Sequence, residues 1–484
     1  MTVSLMSPKR PSPLHRARPS LLLDADGYQL SYQRLRSAER VGSDTGSSDS
    51  LDCLAEQVIE QQLSATAHIS DQLPQDPSNL MTWMQQQHAA VGQQYRDYRA
   101  ARRAGAPRQM FAQRAHALLW LRDIAPTKLV DGAWLSGLLP HWQDVRVEGL
   151  IRTYLDELGN GQAADHHVLI YQRLLEQHGL KPDAPTDAHY VQGALQLALG
   201  RLATRYWPEV LGFHLGYEQL PLHLLISQFE LNEVGIDPYY FSLHVTIDNG
   251  DSGHAEQAVR AVLAAVPVLG DQQVFWQRVE RGYRLNHAGL SMDQILTHID
   301  LRAEVVALLA RKGQIGQHAH ADYCRIAGRS INDWLSDPAD ASRLLDTLVD
   351  SGWIVRHQSA NHSRFWRLID GAKAEMFGVF SSAEKQLLHD WIVGDALVTT
   401  QAQDRLTYRQ RHRGDQHAMQ VDLAAHHRQT YALGQDERLF RQQLAQTLHR
   451  DAYVQQLITQ LSPQRNGHPV GLFAARLFLD VLNQ

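Results

Sequence analysis

From about residue 51 onward, apolar residues recur at spacings of three and four. LAEQVIEQQLSATAHISDQL and the glutamine-rich MTWMQQQHAAVGQQYRDYRAARR each carry one apolar stripe, as an amphipathic helix requires. The same spacing runs through APRQMFAQRAHALLWLRDIAP, VEGLIRTYLDELG, HHVLIYQRLLEQHGL, PYYFSLHVTID and AEQAVRAVLAAVPVL. It also runs through the long YVQGALQLALGRLATRYWPEVLGFHLGYEQLPLHLLISQFELNEVG, which Pro221 must kink or interrupt. Gly159, Gly179 and Gly235 stand where helix C-termini favour glycine, with Pro182 and Pro238 shortly after the last two. Alternating strand patterns are nearly absent before residue 310. The pattern predicts a mainly α protein with a helical bundle over 51–310.

Around residue 311 the segments shorten. Two short helices, a helix ending near Ser351-Gly352, and then WIVRH and SRFWRLI as hairpin strands predict a small winged-helix-like module over 311–395. A packing appendage is the favoured reading of it, ahead of nucleic-acid readout. Residues 1–50 hold MSPKRPSPLHRARPS and VGSDTGSSDS, too polar to order themselves, and are expected to be a disordered tail and linker. Residues 396–484 form a C-terminal helical extension, whose first part, YRQRHRGDQHAMQVDLAAHHRQ, reads as a solvated face rather than a metal tract.

At 484 residues the chain is long enough for two or three domains. A hydrophobic content of 44%, with 20% charged residues and a net charge of −6, suits a globular protein and argues against a general polyanion binder. No run approaches a membrane span, so no membrane association and a cytoplasmic location are expected. The two cysteines lie far apart, which leaves histidine and carboxylate as the candidate metal ligands. Histidine is abundant, at 26 residues.

One stretch concentrates such groups: HVTIDNGDSGH, His244 to His254. On a regular helix Asp248 lies about 40° and Asp251 about −20° from His244, so the three share a face. His254 falls near −80°, off that face unless the Asn-Gly-Asp-Ser-Gly interval loosens the helix. A helix end with Asx-type turns accounts equally well for the stretch alone. Other apolar segments are interrupted in the same way, however. TYLDELGNGQAADHHVLIY carries Glu157, His166 and His167, and GFHLGYEQLPLHLL carries Glu218. This mixed N/O set suits two iron or manganese ions inside a bundle better than zinc. The chain contains no Glu-x-x-His, so the ferritin-like arrangement is excluded.

DELGNGQAADHHVLIYQRLL, LGFHLGYEQLPLHLLISQFELNEVGIDPYYFSLHVTIDNGDSGHA, and the later GRSINDWLSDP, LVDSGWI, SRFW and MFGVF resemble the bacterial iron-containing redox enzymes. These are heme-oxygenase-like diiron oxidases and oxygenases, which bind no heme. The resemblance covers roughly 140–390. It implies a heme-oxygenase-like helical bundle with Glu157 and His167 from a first helix, Glu218 from a second, and His244, Asp248 and His254 from a third. Asp251 stands where the family places the second histidine of the third helix, and His254 is preferred as the ligand, with Asp251 behind it. His166 is the alternative to His167, Glu230 and Glu233 compete with Glu218, and Tyr239 and Tyr240 are candidates to line the cavity.

The implied cofactors are two ferrous ions with dioxygen as co-substrate; three carboxylates and three neutral imidazoles leave such a site at about +1. The implied activity is that of a nonheme diiron oxidase or oxygenase acting on a small metabolite. N-oxygenation, desaturation and oxidative C–C cleavage of an amino-acid-like or fatty-acid-like substrate are the outcomes to consider. Expected partners are the small-molecule substrate and, compatibly, an external electron donor and a second copy of the chain as a homodimer; nucleic acid is not expected. The competing readings are an inactive regulatory or scaffold protein, binding nucleic acid or protein through the C-terminal module, and metal-dependent hydrolysis at the same ligands.

Overall fold

A computed structural model describes residues 27–37, 45–70, 72–247, 253–318, 320–321, 323–370, 374–376, 378–395 and 434–484. The first helices are α1 (Gly27–Ser37), α2 (Thr45–Ala65), α3 (Leu80–Arg103), α4 (Arg114–Asp123), α5 (Ala125–Lys128), α6 (Glu148–Glu157) and α7 (His167–Gln177). Then come α8 (Val191–Arg201), α9 (Trp207–Tyr217), α10 (Leu222–Glu233), α11 (Tyr239–Ile247), α12 (His254–Ala265), α13 (Gln272–Arg284), α14 (Met292–His298) and α15 (Leu301–Gly316). A hairpin of β1 (Arg325–Ile326) and β2 (Arg329–Ser330) precedes α16 (Ile331–Leu335), α17 (Ala341–Asp350), α18 (Arg364–Ile369) and α19 (Ser382–Val393). The chain closes with α20 (Gln435–Ala445), α21 (Arg450–Gln460) and α22 (Pro469–Leu482). The mainly α expectation holds, and no helix among the described residues is long and apolar enough to cross a membrane.

The main core packs the inward faces of α2, α6, α8, α9, α12 and α13 around Trp134, Tyr154, Phe213 and Val279. The long stretch between residues 190 and 235 divides into α8, α9 and α10, with Pro221 immediately before the last, as its ring demands. Gly159, Gly179 and Gly235 all have positive φ just beyond helix ends.

The reading of 1–50 as a disordered tail is corrected at α1. Its Tyr28, Tyr32 and Leu35 fall on one face, and Tyr32 and Leu35 are buried in the main core. Eleven residues make a marginal helix in isolation. Here the backbone N–H groups of Tyr28 and Gln29 donate to Asp187 Oδ1 at 2.8 and 2.7 Å, so a distant carboxylate caps the helix while α8 buries its apolar side. Residues 1–26 and 38–44 lie outside the described residues, as do 396–433 with their histidine-rich tract.

The expected hairpin of WIVRH and SRFWRLI is also corrected. Residues 364–369 are helical because Phe365 and Ile369, one turn apart, bury the same side together with Trp366. Among the described residues the one hairpin lies earlier, turning through Ala327 and Gly328, both at positive φ. The module's core joins Val305, Leu308 and Leu309 of α15 to Trp334, Leu345 and Trp391, and it includes Ala115 and Leu119 of α4. Helix α15 therefore crosses the boundary expected at residue 310, and Asp390 Oδ2 accepts the Ala115 N–H at 2.8 Å at the start of α4. These contacts pack the module against α4.

The C-terminal helices lie against the turn between α6 and α7. Arg476 Nη1 donates to the Gly161 carbonyl at 2.6 Å, and the Tyr154 hydroxyl donates to the Leu461 carbonyl at 2.5 Å. A Cβ on Gly161 would stand 2.3 Å from the Leu472 carbonyl oxygen, so α22 approaches that turn as closely as glycine permits.

Candidate metal centre

Helix α6 forms because Leu150, Ile151, Tyr154 and Leu155 bury one face, with Glu148 favourably placed in its first turn. Glu157 is its last residue. The chain then turns through Gly159, Asn160 and Gly161, all at positive φ, and Leu158 bridges back to His166. His167 opens α7, so this reversal sets the two side chains against each other, with His167 Nδ1 in contact with Glu157 Oε2. Glu218 caps the C-terminus of α9, one turn beyond His214, whose Nδ1 lies 3.3 Å from Glu218 Oε1.

His244 lies on α11, its ring centroid 4.6 Å from that of His167. His254 is the first residue of α12, preceded by Gly253 in extended conformation. A new helix thus begins at His254, and its angular offset from His244 on one continuous helix does not apply. Its Nδ1 lies 3.4 Å from Glu218 Oε2 and 3.7 Å from Glu157 Oε1.

Ligand atoms of Asp131, Glu157, His167 and His244 lie within 4.8 Å of one another, and so do those of Glu157, Glu218 and His254. Glu157 belongs to both groups, and all six side chains are buried. Five of the six residues expected from the sequence are therefore together: Glu157, His167, Glu218, His244 and His254. The sixth, Asp248, lies outside the described residues, as does Asp251.

Asp131 was missed by the sequence reading. Its signal was a lone carboxylate inside the apolar run KLVDGAWLSGLL. Gly132 follows with φ of 78°, and a Cβ there would lie 3.0 Å from Glu157 Cβ, so glycine lets this strand of backbone reach the Glu157 side chain.

The alternatives also separate. His166 is fully buried outside either group, and burial, with the charge of His167, pushes its pKa down to about 3. Glu233 pairs with Arg102 at 2.5 Å. Glu230 accepts the backbone N–H groups of Gln109, Met110 and Phe111 and the Tyr98 hydroxyl, which makes it the anchor of the loop before α4. Glu230→Ala is expected to cost on the order of 3 kcal/mol in a denaturant melt, because several buried donors lose their acceptor, while metal content per folded chain is unchanged. Of the two candidate cavity tyrosines, Tyr240 is buried beside His244, but Tyr239 is 40% exposed and does not line the site.

The donors fit metal ions better than they fit each other. Nε2 of His167 is buried without a hydrogen-bond partner, its Nδ1 meets the Glu157 carboxylate, and Glu218 Oε1 faces His214 Nδ1 at 3.3 Å. His254 Nε2 faces Asp156 Oδ2 at 3.4 Å, so its N–H is committed there and Nδ1 is turned toward two carboxylates. Burial opposes protonation of His254, yet Asp156, Glu218 and Glu157 together push its pKa up to about 11. Glu218 is held well below the usual carboxylate range: burial would raise it, but His214 and His254 outweigh burial. Asp131 is likewise held low against burial by Lys128 and His244. Carboxylates and imidazoles converging in a dry interior are residue types that can hold a cation.

A helical bundle with a buried carboxylate and histidine cluster of this kind defines a candidate metal-binding protein. Residues 118–287 match the family described as iron-containing redox enzyme, within the heme-oxygenase-like superfamily. That span includes every residue of both ligand groups. Comparison with curated proteins and with solved structures returns no match.

Proposed function

We propose that the protein is a nonheme diiron oxidoreductase that uses dioxygen to oxidise a small organic substrate. The observation that supports this most directly is the pair of buried donor groups sharing one carboxylate, Glu157. Glu157 and Glu218 with His254 would hold one iron, and Glu157 with His167 and His244 the other. A ferrous pair in such a site supplies two electrons to dioxygen.

The chain's own residues do the rest. Asp156 and the Tyr240 carbonyl, which takes the Nδ1–H of His244 at 2.8 Å, fix the two imidazoles in one tautomer and orientation. Tyr171, Tyr217, Tyr240 and Trp134 pack around the cluster and exclude water; the buried hydroxyls of Tyr217 and Tyr240 keep their protons, held up by burial and by the neighbouring Asp131. An amino-acid-like or fatty-acid-like substrate undergoing N-oxygenation, desaturation or C–C cleavage is the reading carried by the family likeness.

The test is anaerobic loading of the full chain with Fe(II), metal counting, and then oxygen uptake in a closed cell. Two irons per chain and uptake close to one dioxygen per pair are expected. Failure to retain iron would discard the proposal in favour of a binding or scaffold role, and oxygen-independent hydrolysis with zinc would favour the hydrolase reading.

A further inference from the structure

We propose that the C-terminal helix α22 positions the metal centre, with Arg476 as the positioning residue that locks the reversal between α6 and α7. The assignment rests on the diiron reading above, and it adds a part of the chain that lies beyond the span matching the family, 118–287.

The reversal decides how two of the ligands meet. Glu157 precedes it and His167 follows it, so its path sets the approach of the two side chains. Gly159, Asn160 and Gly161 hold φ of 59°, 50° and 80° in succession. Glycine has the widest choice of backbone conformation and asparagine tolerates this region, so local preference permits the path without enforcing it. Contacts from elsewhere must select it.

Helix α22 supplies them. Arg476 Nη1 donates to the Gly161 carbonyl at 2.6 Å, a bond strengthened by the charge on the donor. The helix packs so near that a Cβ on Gly161 would meet the Leu472 carbonyl oxygen at 2.3 Å and the Arg476 backbone nitrogen at 3.0 Å. The segment leading into α22 touches both flanks of the reversal. On the α6 side the Asn466 amide donates to the Tyr154 hydroxyl at 3.3 Å, and on the α7 side a Cβ on Gly467 would lie 3.2 Å from Leu169.

A second path runs from the reversal to the other ligand group. Asn160 Nδ2 donates to Asp156 Oδ1 at 2.7 Å, and Asp156 Oδ2 faces His254 Nε2 at 3.4 Å. One backbone turn therefore places Glu157, His167 and His254, and α22 places the turn.

The test is Co(II) titration of the full chain, followed through visible absorption, with circular dichroism as the check on folding. Arg476→Met keeps the aliphatic stem and removes the donor. The folded variant should bind Co(II) about 10-fold more weakly than wild type, with an altered visible band, because the ligands around the cation have shifted. Asn483→Ala removes the bond that Arg152 makes to the far end of α22 at 3.1 Å, and it should change neither quantity. Unaltered affinity and band in Arg476→Met, or an equal loss in Asn483→Ala, would overturn the assignment. If Arg476→Met does not fold, hydrogen exchange of the wild type decides. Coupling is reciprocal, so Co(II) loading should slow exchange in α22 by a larger factor than in α17; equal slowing, or none, would overturn it. A wild type that binds no cation defeats the diiron reading and this role with it, whereas tight binding indifferent to Arg476 defeats only the role of α22.

Discussion

Glu157→Ala should leave the chain unable to retain either cation. Glu157 is the one residue common to both ligand groups, so its loss takes a donor from each at once. The proposed ligands that remain are Glu218 and His254 on one side and His167 and His244 on the other. With Glu157 gone, each side keeps two, too few to hold iron against buffer. His244→Ala, by contrast, removes a ligand from one group only, and it should cost one cation. Metal counting on the two folded variants separates these outcomes: none retained for Glu157→Ala and one for His244→Ala. Equal retention in both would mean that Glu157 does not bridge. Oxygen uptake should disappear in either variant, since two-electron reduction needs the pair.

Gly212→Ala should destabilise the fold and loosen the Glu218 side of the centre. Helices α9 and α13 cross with almost no side chain between them. A Cβ on Gly212 would sit 1.9 Å from the Val279 carbonyl oxygen, and one on Gly282 would sit 2.1 Å from the Glu209 carbonyl oxygen. Both obstacles are backbone, which cannot swing aside. Elsewhere on a helix, glycine to alanine gains about 1 kcal/mol of propensity. Here the helices must separate, and overpacking of this kind costs on the order of 3 kcal/mol or more, so the clash wins. The ion pair of Arg278 with Glu209 and the hydrogen bond from Asn286 to the Phe213 carbonyl would be pulled with it. Because α9 carries Glu218 at its end, the strain reaches that carboxylate. Gly92 on α3 is the control: only the flexible tip of Arg96 lies within 4 Å of its added Cβ, so Gly92→Ala should raise stability by up to about 1 kcal/mol. Chemical denaturation of both variants tests the contrast, and a stabilised Gly212→Ala would show that the crossing has slack.

Much of this protein could be read along the chain. Helix periodicity, the glycines at helix ends and the break at Pro221 are local properties, decided within a few residues. So were Glu157, His167, Glu218 and His244, polar groups in otherwise apolar surroundings. The family likeness joined them into one candidate site, and the fold brings their ligand atoms together in two groups.

Where local signals were ambiguous, packing decided. SRFWRLI is too short for its period to distinguish strand from helix, and burial of Phe365, Trp366 and Ile369 on one side chose helix. Helix α1 is too short to persist alone, and Asp187 and α8, far along the chain, hold it. His254 lay off the face of His244 only as long as one helix was assumed to carry both.

The sequence by itself determined the helical character and the residue types able to bind metal, because each depends on neighbours a turn or two away; the candidate set was what the family likeness implied. Only the tertiary structure decided that Asp131 joins them, that His167 rather than His166 faces the cluster, and that Glu230 anchors a loop. Those outcomes depend on which buried groups from distant segments meet across the core, where an unpaired charge is too costly to leave without a partner.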